Sequence, residues 1–492
     1  MATFVTSQRG SRNLSFEGYL YTKQKKQGKK TYWICEMRRA CNGRAVSEET
    51  EDRLTVRCTQ EHQHAPSREN AEAAAVRSAI KRKATDEPAS NPARIIREET
   101  LENTEGAIAL LPHRQTLRRI VNRARAKLRP VNPRNIIDLR VVDPYDNTIT
   151  GEQFLVHDNL LDNEDEDFVP QSRLLIFTTE NNIRQLFSSP DWFADGTFSI
   201  VPNLFFQLWT IHGVVAEQVF PLVYVLASNK TQETYTEVLN FLKDKAIALR
   251  HPNAELLPVS CTTDMELAAV NAISAVFPRA RIQLCFFHFA QAIYRKTQEL
   301  GLTMEYNEEG SEVKKWIHSA ISLAFTPPED TEQTFQLLRA ELANIGDQRM
   351  EEMANYIGQT YISGRPARGR RRAVPPRYSP LHWSVYDRTL NRQNRTNYEV
   401  EGYHNRLNKI VNKHHPSMFT ILDELWKEQR DTDVCIAQLH AGHVNVRQNR
   451  SRKAQIKDDR IYNIVRRYQE YKDDGNVLLY LRSLGYNVAP HA

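Results

Sequence analysis

The chain has 492 residues, too many for one hydrophobic core, so about two to four domains are expected. Hydrophobic residues make up 40% of it, six cysteines are too few for a disulfide scaffold, and no run of about 18 apolar residues offers a membrane span. The net charge of +6 is unevenly spread: residues 1–130 carry 26 Lys+Arg against 15 Asp+Glu, a net of +11 that leaves −5 for residues 131–492. The opening residues Met1-Ala2-Thr3-Phe4 carry no secretion signal. Together these point to an intracellular globular protein with a basic N-terminal quarter. Such a quarter fits a nucleic-acid-binding module or a solvated basic surface.

Residues 1–66 read as short strands: Phe16–Tyr21, Lys29–Cys35 and Arg53–Cys58. With few large aliphatics they need a staple, and Cys35, Cys41, His62 and His64 supply the two thiolates and two imidazoles that suit tetrahedral Zn²⁺. Cys58 competes for one of these positions. The order Phe16, Gly18, Tyr19, Tyr32-Trp33-Ile34-Cys35, Cys41, His62-Gln63-His64 resembles the FLYWCH-type zinc finger. That resemblance implies one Zn²⁺ and contacts to DNA or protein, with Lys23, Lys25, Lys26, Lys29 and Lys30 placed to neutralise phosphates.

Residues 67–173 form a connector. Glu72–Ile80 looks helical and leads into Lys81-Arg82-Lys83, a short basic triplet of the kind used for nuclear import. Residues 86–92 read as a linker, followed by helices at Ala93–Leu101 and Thr116–Leu128. The second helix carries Arg118, Arg119 and Arg123, either for the DNA backbone or as a solvated face. An acidic loop covers residues 158–168, and Leu174–Phe177 begins the next domain or packs on it.

From residue 190 the elements run β-β-β-α-β-α-β-α. The strands are Trp192–Val201, Phe205–Val215, Gln218–Ala227, Leu257–Asp264 and Arg281–Cys285. Asp195 interrupts the first strand, sharing a face with Phe193 and Thr197, and Asp264 ends the fourth. This order is that of a ribonuclease H-like fold, a mixed five-stranded sheet with helices, in which the first and fourth strands are neighbours. The two carboxylates then lie close enough to repel, and divalent cations relieve that repulsion. A helix from Val400 carries Glu401 near its start. Glu399 lies one position off the same face, and either is alternatively a first-turn acid favoured by the helix dipole.

The stretches Asp195-Gly196-Thr197-Phe198, Thr263-Asp264-Met265-Glu266, Cys285-Phe286-Phe287-His288 and Asn397-x3-Glu401-Gly402-Tyr403-His404 resemble the catalytic domain of Mutator-like element (MULE) transposases, a DDE family. The resemblance spans about residues 175–415. It implies that Asp195, Asp264 and Glu401 hold two Mg²⁺ or Mn²⁺ ions for DNA cleavage and strand transfer. Where the family often has a second Asn this chain has Tyr398, which is not a ligand position. Cys285 and His288 form a CxxH pair beside the active site, with support of the site, a DNA contact, a structural bond or metal binding as its alternatives.

Residues 301–390 resemble the all-helical insertion of such transposases, with Trp316 and Trp383 as candidate base-stacking residues or ordinary core tryptophans. The loop Arg365–Arg372, including Arg368, Arg370, Arg371 and Arg372, is a candidate phosphate contact or nuclear-import signal. Residues 391–415 return to the core with the third acid, and residues 416–492 form a helical tail that dimerises or packs on the core. The chain therefore reads as a nuclear cut-and-paste transposase, at least dimeric, acting on terminal inverted repeats and target DNA. A transposase-derived regulator and a nuclease that does not join are the competing readings.

Overall fold

In the computed structural model the described residues are all except 1, 7–10, 50–53, 88–89, 128–129, 163–171, 368, 370, 445, 447–451 and 489–492. The chain divides into two units, Met1–Val131 and Asn132–Ala492.

The first unit begins with six strands: β1 (Thr3–Thr6), β2 (Arg12–Phe16), β3 (Tyr19–Gln27), β4 (Lys30–Cys35), β5 (Arg44–Glu49) and β6 (Leu54–Gln60). Each pairs antiparallel with the next. The expected single strand Phe16–Tyr21 is instead two strands. Glu17 (φ 52°) and Gly18 (φ 79°) form a two-residue turn that pairs Phe16 with Tyr19. Two successive positive φ values match the right-handed twist of a hairpin, and glycine takes one of them without steric cost. The sheet's core is small, with Leu14, Tyr21, Trp33 and Ala45 buried.

Four helices follow, Arg68–Asp86, Pro92–Thr100, Glu105–Ala109 and Arg114–Ala126. Ser67, Asn91, Thr104 and His113 cap them by accepting backbone N–H groups. Val76, Ile80, Ile95, Ile96, Leu117 and Val121 close an apolar core between them. Lys83 of the basic triplet is held by Glu98 and Glu99 at 2.9 and 3.2 Å.

In the second unit β7 (Leu155–Asp158), β8 (Leu174–Phe177), β9 (Asp191–Thr197), β10 (Gln207–Val215), β11 (Gln218–Ala227), β12 (Ser260–Thr263) and β13 (Arg281–Leu284) form one mixed sheet. Its order is β13-β12-β9-β10-β11-β8-β7. The sheet has seven strands, not five. β8 joins the edge through antiparallel pairing with β11, and β7, too short to show alternation in the sequence, adds to β8. β9, β10 and β11 are antiparallel, whereas β12 runs parallel to both β9 and β13. Helices Gln232–Ala248, Leu267–Val276 and Phe286–Glu299 follow β11, β12 and β13. β10 and β11 are almost wholly buried because both sheet faces are covered. One face packs Trp192, Ala194, Val223 and Val225. The other packs Leu208, Tyr224 and Leu226 against Tyr403, Leu407, Phe419 and Leu422.

Short helices fill most of residues 303–390. Trp316 and Trp383 are 2% and 0% exposed. Trp316 Nε1 donates to Leu338 O at 2.8 Å, and Trp383 Nε1 donates to Tyr361 O at 3.0 Å. Trp383 also stacks on Phe289 at 4.6 Å. Neither ring has a free face for a base, so both are core residues. The tail helices pack on their own chain. Tyr468 OH donates to Asp330 Oδ2 at 3.0 Å, Tyr480 OH donates to Phe325 O, and Gly485 backs onto His318. Among the described residues no helix is long and apolar enough to cross a membrane.

Candidate active site and zinc centre

The β1–β6 sheet brings Cys35, Cys41, His62 and His64 together, one ligand atom from each lying within 4.8 Å of the others. Cys35 Sγ is 3.3 Å from His64 Nε2, and Cys41 Sγ is 3.4 Å from His62 Nδ1. The remaining ring nitrogens are engaged, His62 Nε2 with Tyr21 OH at 2.7 Å and His64 Nδ1 with Ala65 O at 2.9 Å. Such outer partners fix the ring orientation for metal binding. Burial, and then the His64 ring, lowers the His62 pKa and favours the neutral ligand form. Burial pushes the Cys41 thiol up, but the N–H groups of Gln63 and Gly43 more than offset it, and its pKa ends below the usual value. Cys58 is exposed and donates to backbone carbonyls, outside this cluster. The donor set fits tetrahedral Zn²⁺.

A Cβ on Gly43 would lie 2.6 Å from the His62 ring, so the cradle has room only for glycine. Gly43→Ala is expected to displace His62 and weaken zinc about 10- to 100-fold. Competition with a chromophoric chelator measures it, and unchanged affinity would contradict the assignment.

In the second unit, parallel pairing matches Thr262 with Phe193. Continued by two residues, this register sets Asp264 level with Asp195. Phe193 packs with Val400 of the helix Tyr398–Val411, so Asp195, on the same face, looks toward that helix. Asn397 fixes the helix start: its N–H donates to Cys285 Sγ at 3.4 Å, and its Nδ2 donates to Ala194 O at 3.3 Å. Arg406 pairs with Glu428, and Ser199 Oγ donates to Asn408 Oδ1 at 2.7 Å, which hold the rest of the helix. Glu401 is half-buried, with Oε1 3.8 Å from Cys285 Sγ, whereas Glu399 is exposed. Glu401, Cys285 and His288 each place one ligand atom within 4.8 Å of the others.

The charges are tightly coupled. Burial, and then the charge of Asp195, push the Asp264 carboxyl up to about 6. Burial raises Glu401, Asp195 adds to this, and His288 opposes it. Burial pulls His288 down, but Cys285, Asp195 and Asp264 outweigh it and raise its pKa to about 9. Among the described residues His288 Nδ1 is buried without a hydrogen-bond partner. Carboxylates that resist ionisation beside one another describe a site short of positive charge.

Asp195 is 6% exposed and both its oxygens are held. Oδ1 accepts the Gly196 N–H at 2.9 Å, and Oδ2 lies 3.2 Å from His404 Nδ1. Since a carboxylate only accepts, His404 carries its proton on Nδ1. Nε2 lies 3.0 Å from Thr210 Oγ1, whose hydroxyl donates to the Asp195 carbonyl oxygen at 3.4 Å. His212 Nε2 stands 3.0 Å from the same Thr210 Oγ1. Thr210 and His212, two apart on β10, are polar interruptions within its apolar run, residues 208–215. The alternation argument that singles out Asp195 also applies to them. His404→Ala should weaken Mn²⁺ binding about 10- to 100-fold, while His404→Asn, which keeps a donor near the Nδ1 position, should retain most of it. Equal loss in both variants would reject the Nδ1–H assignment.

A Cβ on Gly196 would stand 3.0 Å from Gln207 Oε1. Gln207 is itself fixed by Tyr235, its Nε2 donating to the Tyr235 OH at 2.8 Å. The opposite face of β9 is therefore closed. Arg388, 3% exposed and also outside the sequence-based candidates, donates to Leu284 O at 3.0 Å and props the turn that carries Cys285.

Of the expected DNA contacts, Lys25, Lys26, Lys29 and Lys30 are exposed on β3, β4 and their turn, and Arg118, Arg119 and Arg123 are exposed on the Arg114–Ala126 helix. Arg371 and Arg372 are exposed, and Arg368 and Arg370 lie outside the described residues.

Residues 4–64 match the model of the FLYWCH zinc finger domain, and residues 192–292 match that of the MULE transposase domain. The second match contains Asp195, Asp264, Cys285 and His288 and ends before Glu401. No curated protein matches the chain.

Proposed function

We propose that this chain, with its FLYWCH zinc finger and its MULE transposase domain, is a cut-and-paste DNA transposase. Residues 174–300 and 391–415 are its ribonuclease H-like DDE core, and residues 301–390 are its helical insertion. Residues 1–66, with the basic connector 67–173, bind the terminal inverted repeats. Residues 416–492 are its C-terminal tail, whose described helices pack on the same chain. Synapsis of two DNA ends needs two active sites, so the working form is at least a dimer, and its place of action is the nucleus.

The observation that carries this reading is Asp195 on β9 with Asp264 directly after the end of the adjacent parallel strand β12, Asp264 being pushed up to about 6 by burial and by Asp195. Three acids in such a field fit hard divalent cations, Mg²⁺ or Mn²⁺. When bound, two such ions would supply the Lewis acidity and the activated oxygen that phosphodiester exchange requires. The chain's own residues do the rest. Gly196 N–H and His404 Nδ1–H orient Asp195. Asn397 sets the Glu401 helix against β9 and Cys285. His288, protonated to about 9, keeps a positive charge among the acids.

Because Asp264 holds its proton up to about 6, a cation must displace that proton at lower pH. Mn²⁺ affinity is therefore expected to fall about tenfold per pH unit below that value and to level off above it. Calorimetric titration across pH 5–8 measures it, and a flat profile would remove Asp264 from the ligand set. Function is tested by incubating the full chain with DNA ends in the presence of Mg²⁺ or a chelator. Cleavage that appears only with the metal supports the proposal. Binding without cleavage would instead give the non-catalytic regulator.

A further inference from the structure

We propose that Phe198, Phe206 and Lys230 form a platform that stacks an unpaired nucleobase of DNA bound along the far face of β9 from Asp195; this rests on the DNA-processing reading above. The two phenylalanines are 42% and 45% exposed, an unfavourable place for such side chains unless something covers them. Their rings meet edge to face, centroids 5.4 Å apart at 72°. Lys230 Nζ stands 5.7 Å from the Phe198 ring and 5.4 Å from the Phe206 ring. The neighbouring Phe205 is buried at 6%, so the fold takes one ring of the Phe205-Phe206 pair inward and leaves the other out.

Position supplies the second argument. Phe198 directly follows the end of β9, and its ring reaches over Gly196, on the strand face opposite the Asp195 carboxylate. Lys230 lies in the charge field of Glu266, which follows Asp264 in the turn beyond β12. Among the described residues the exposed large aromatics are Phe198, Phe206, Phe287, Tyr398 and Tyr486. Phe287 adjoins His288, and Tyr398 opens the helix that carries Glu401. Exposed aromatic surface is thus concentrated on the segments that carry the candidate catalytic residues. Trp316 and Trp383, the residues that the sequence offered for stacking, are buried.

Chemistry selects the occupant. Two half-exposed rings fall far short of the roughly 800 Å² per partner that a stable protein interface buries. They suit one base, whose flat π-face stacks on an aromatic side chain regardless of sequence. The ammonium beside them complements the phosphodiester attached to that base.

The test uses the full chain and a single strand of about 16 nucleotides that carries 2-aminopurine, whose fluorescence stacking quenches. Wild type is expected to bind and quench. Phe198→Ala and Phe206→Ala are each expected to weaken binding about tenfold and to relieve quenching. Phe198→Trp should retain both, and none of the three should alter thermal melting, since the rings are exposed. A double alanine variant that binds and quenches like wild type would overturn the platform. So would a wild type that cuts duplex ends yet leaves the probe unquenched, or alanine variants that change only the oligomeric state. A wild type that binds no DNA would reject the platform together with the transposase reading.

Discussion

Asp195→Ala is expected to abolish DNA cleavage and joining, by about three orders of magnitude or more, while DNA binding by the first unit stays within about twofold. Asp195 is 6% exposed and fixed at both oxygens, so its carboxylate is already oriented toward whatever the site holds. Alanine removes the charge, leaves His404 Nδ1–H without its acceptor, and relieves part of the repulsion that raises Asp264. Asp264→Ala and Glu401→Ala should each cost about as much as all three together, since residues that act as one unit are not additive. Glu399→Ala, at an exposed position, should leave activity near wild type. End-labelled cleavage products measure the rates, and filter binding measures the DNA affinity. Full activity in Glu401→Ala with loss in Glu399→Ala would transfer the third role to Glu399.

Cys41→Ser is expected to release zinc and unfold the β1–β6 sheet while the second unit keeps its own melting transition. Among the described residues the sheet's apolar core is a small cluster, Leu14, Tyr21, Trp33 and Ala45, with Val5 of β1 also buried. A core of that kind rarely supplies more than about 3–5 kcal/mol, whereas zinc binding at a closed site is worth about 10–16 kcal/mol at neutral pH. Strong chelators should have the same effect, and Cys58→Ser should have none, because Cys58 lies outside the ligand cluster. Emission of Trp33, whose indole donates to Ser47 Oγ at 2.8 Å in the folded sheet, reports the change. A Cys41→Ser chain that keeps both its zinc and its Trp33 environment would refute the assignment.

Much of this was legible in the sequence because strong periodic signals surround the site. The mostly apolar runs of β10 and β11, the Asp inside β9 and the helices after β11, β12 and β13 are short-range features, and the structure places them in the expected order. What the sequence hid depends on tertiary contact. The Glu17-Gly18 turn lies inside an apparently continuous strand, because glutamate gives no sign that it will adopt a positive φ. β7 is four residues long and gains its identity only from pairing with β8. For Trp316 and Trp383 the sequence left stacking and core roles side by side, and the carbonyl partners of their indole N–H groups decide for the core. His404 stood in the family-like motif without a role. Its ring meets Asp195 and Thr210, far away along the chain, because β9 pairs with β10 and the helix Tyr398–Val411 packs on that sheet.

The most direct measurement is the joining reaction itself. Full-length protein, a DNA end bearing the inverted repeat that flanks its own coding region, and a target plasmid are incubated with Mg²⁺, and the junctions are sequenced. The account predicts products joined through the 3′-hydroxyl with a short duplication of the target, present with Mg²⁺ and absent with chelator or with Asp195→Ala. Protein that binds the end with zinc in place, yet yields neither nicked nor joined DNA with Mg²⁺ or Mn²⁺, would contradict it.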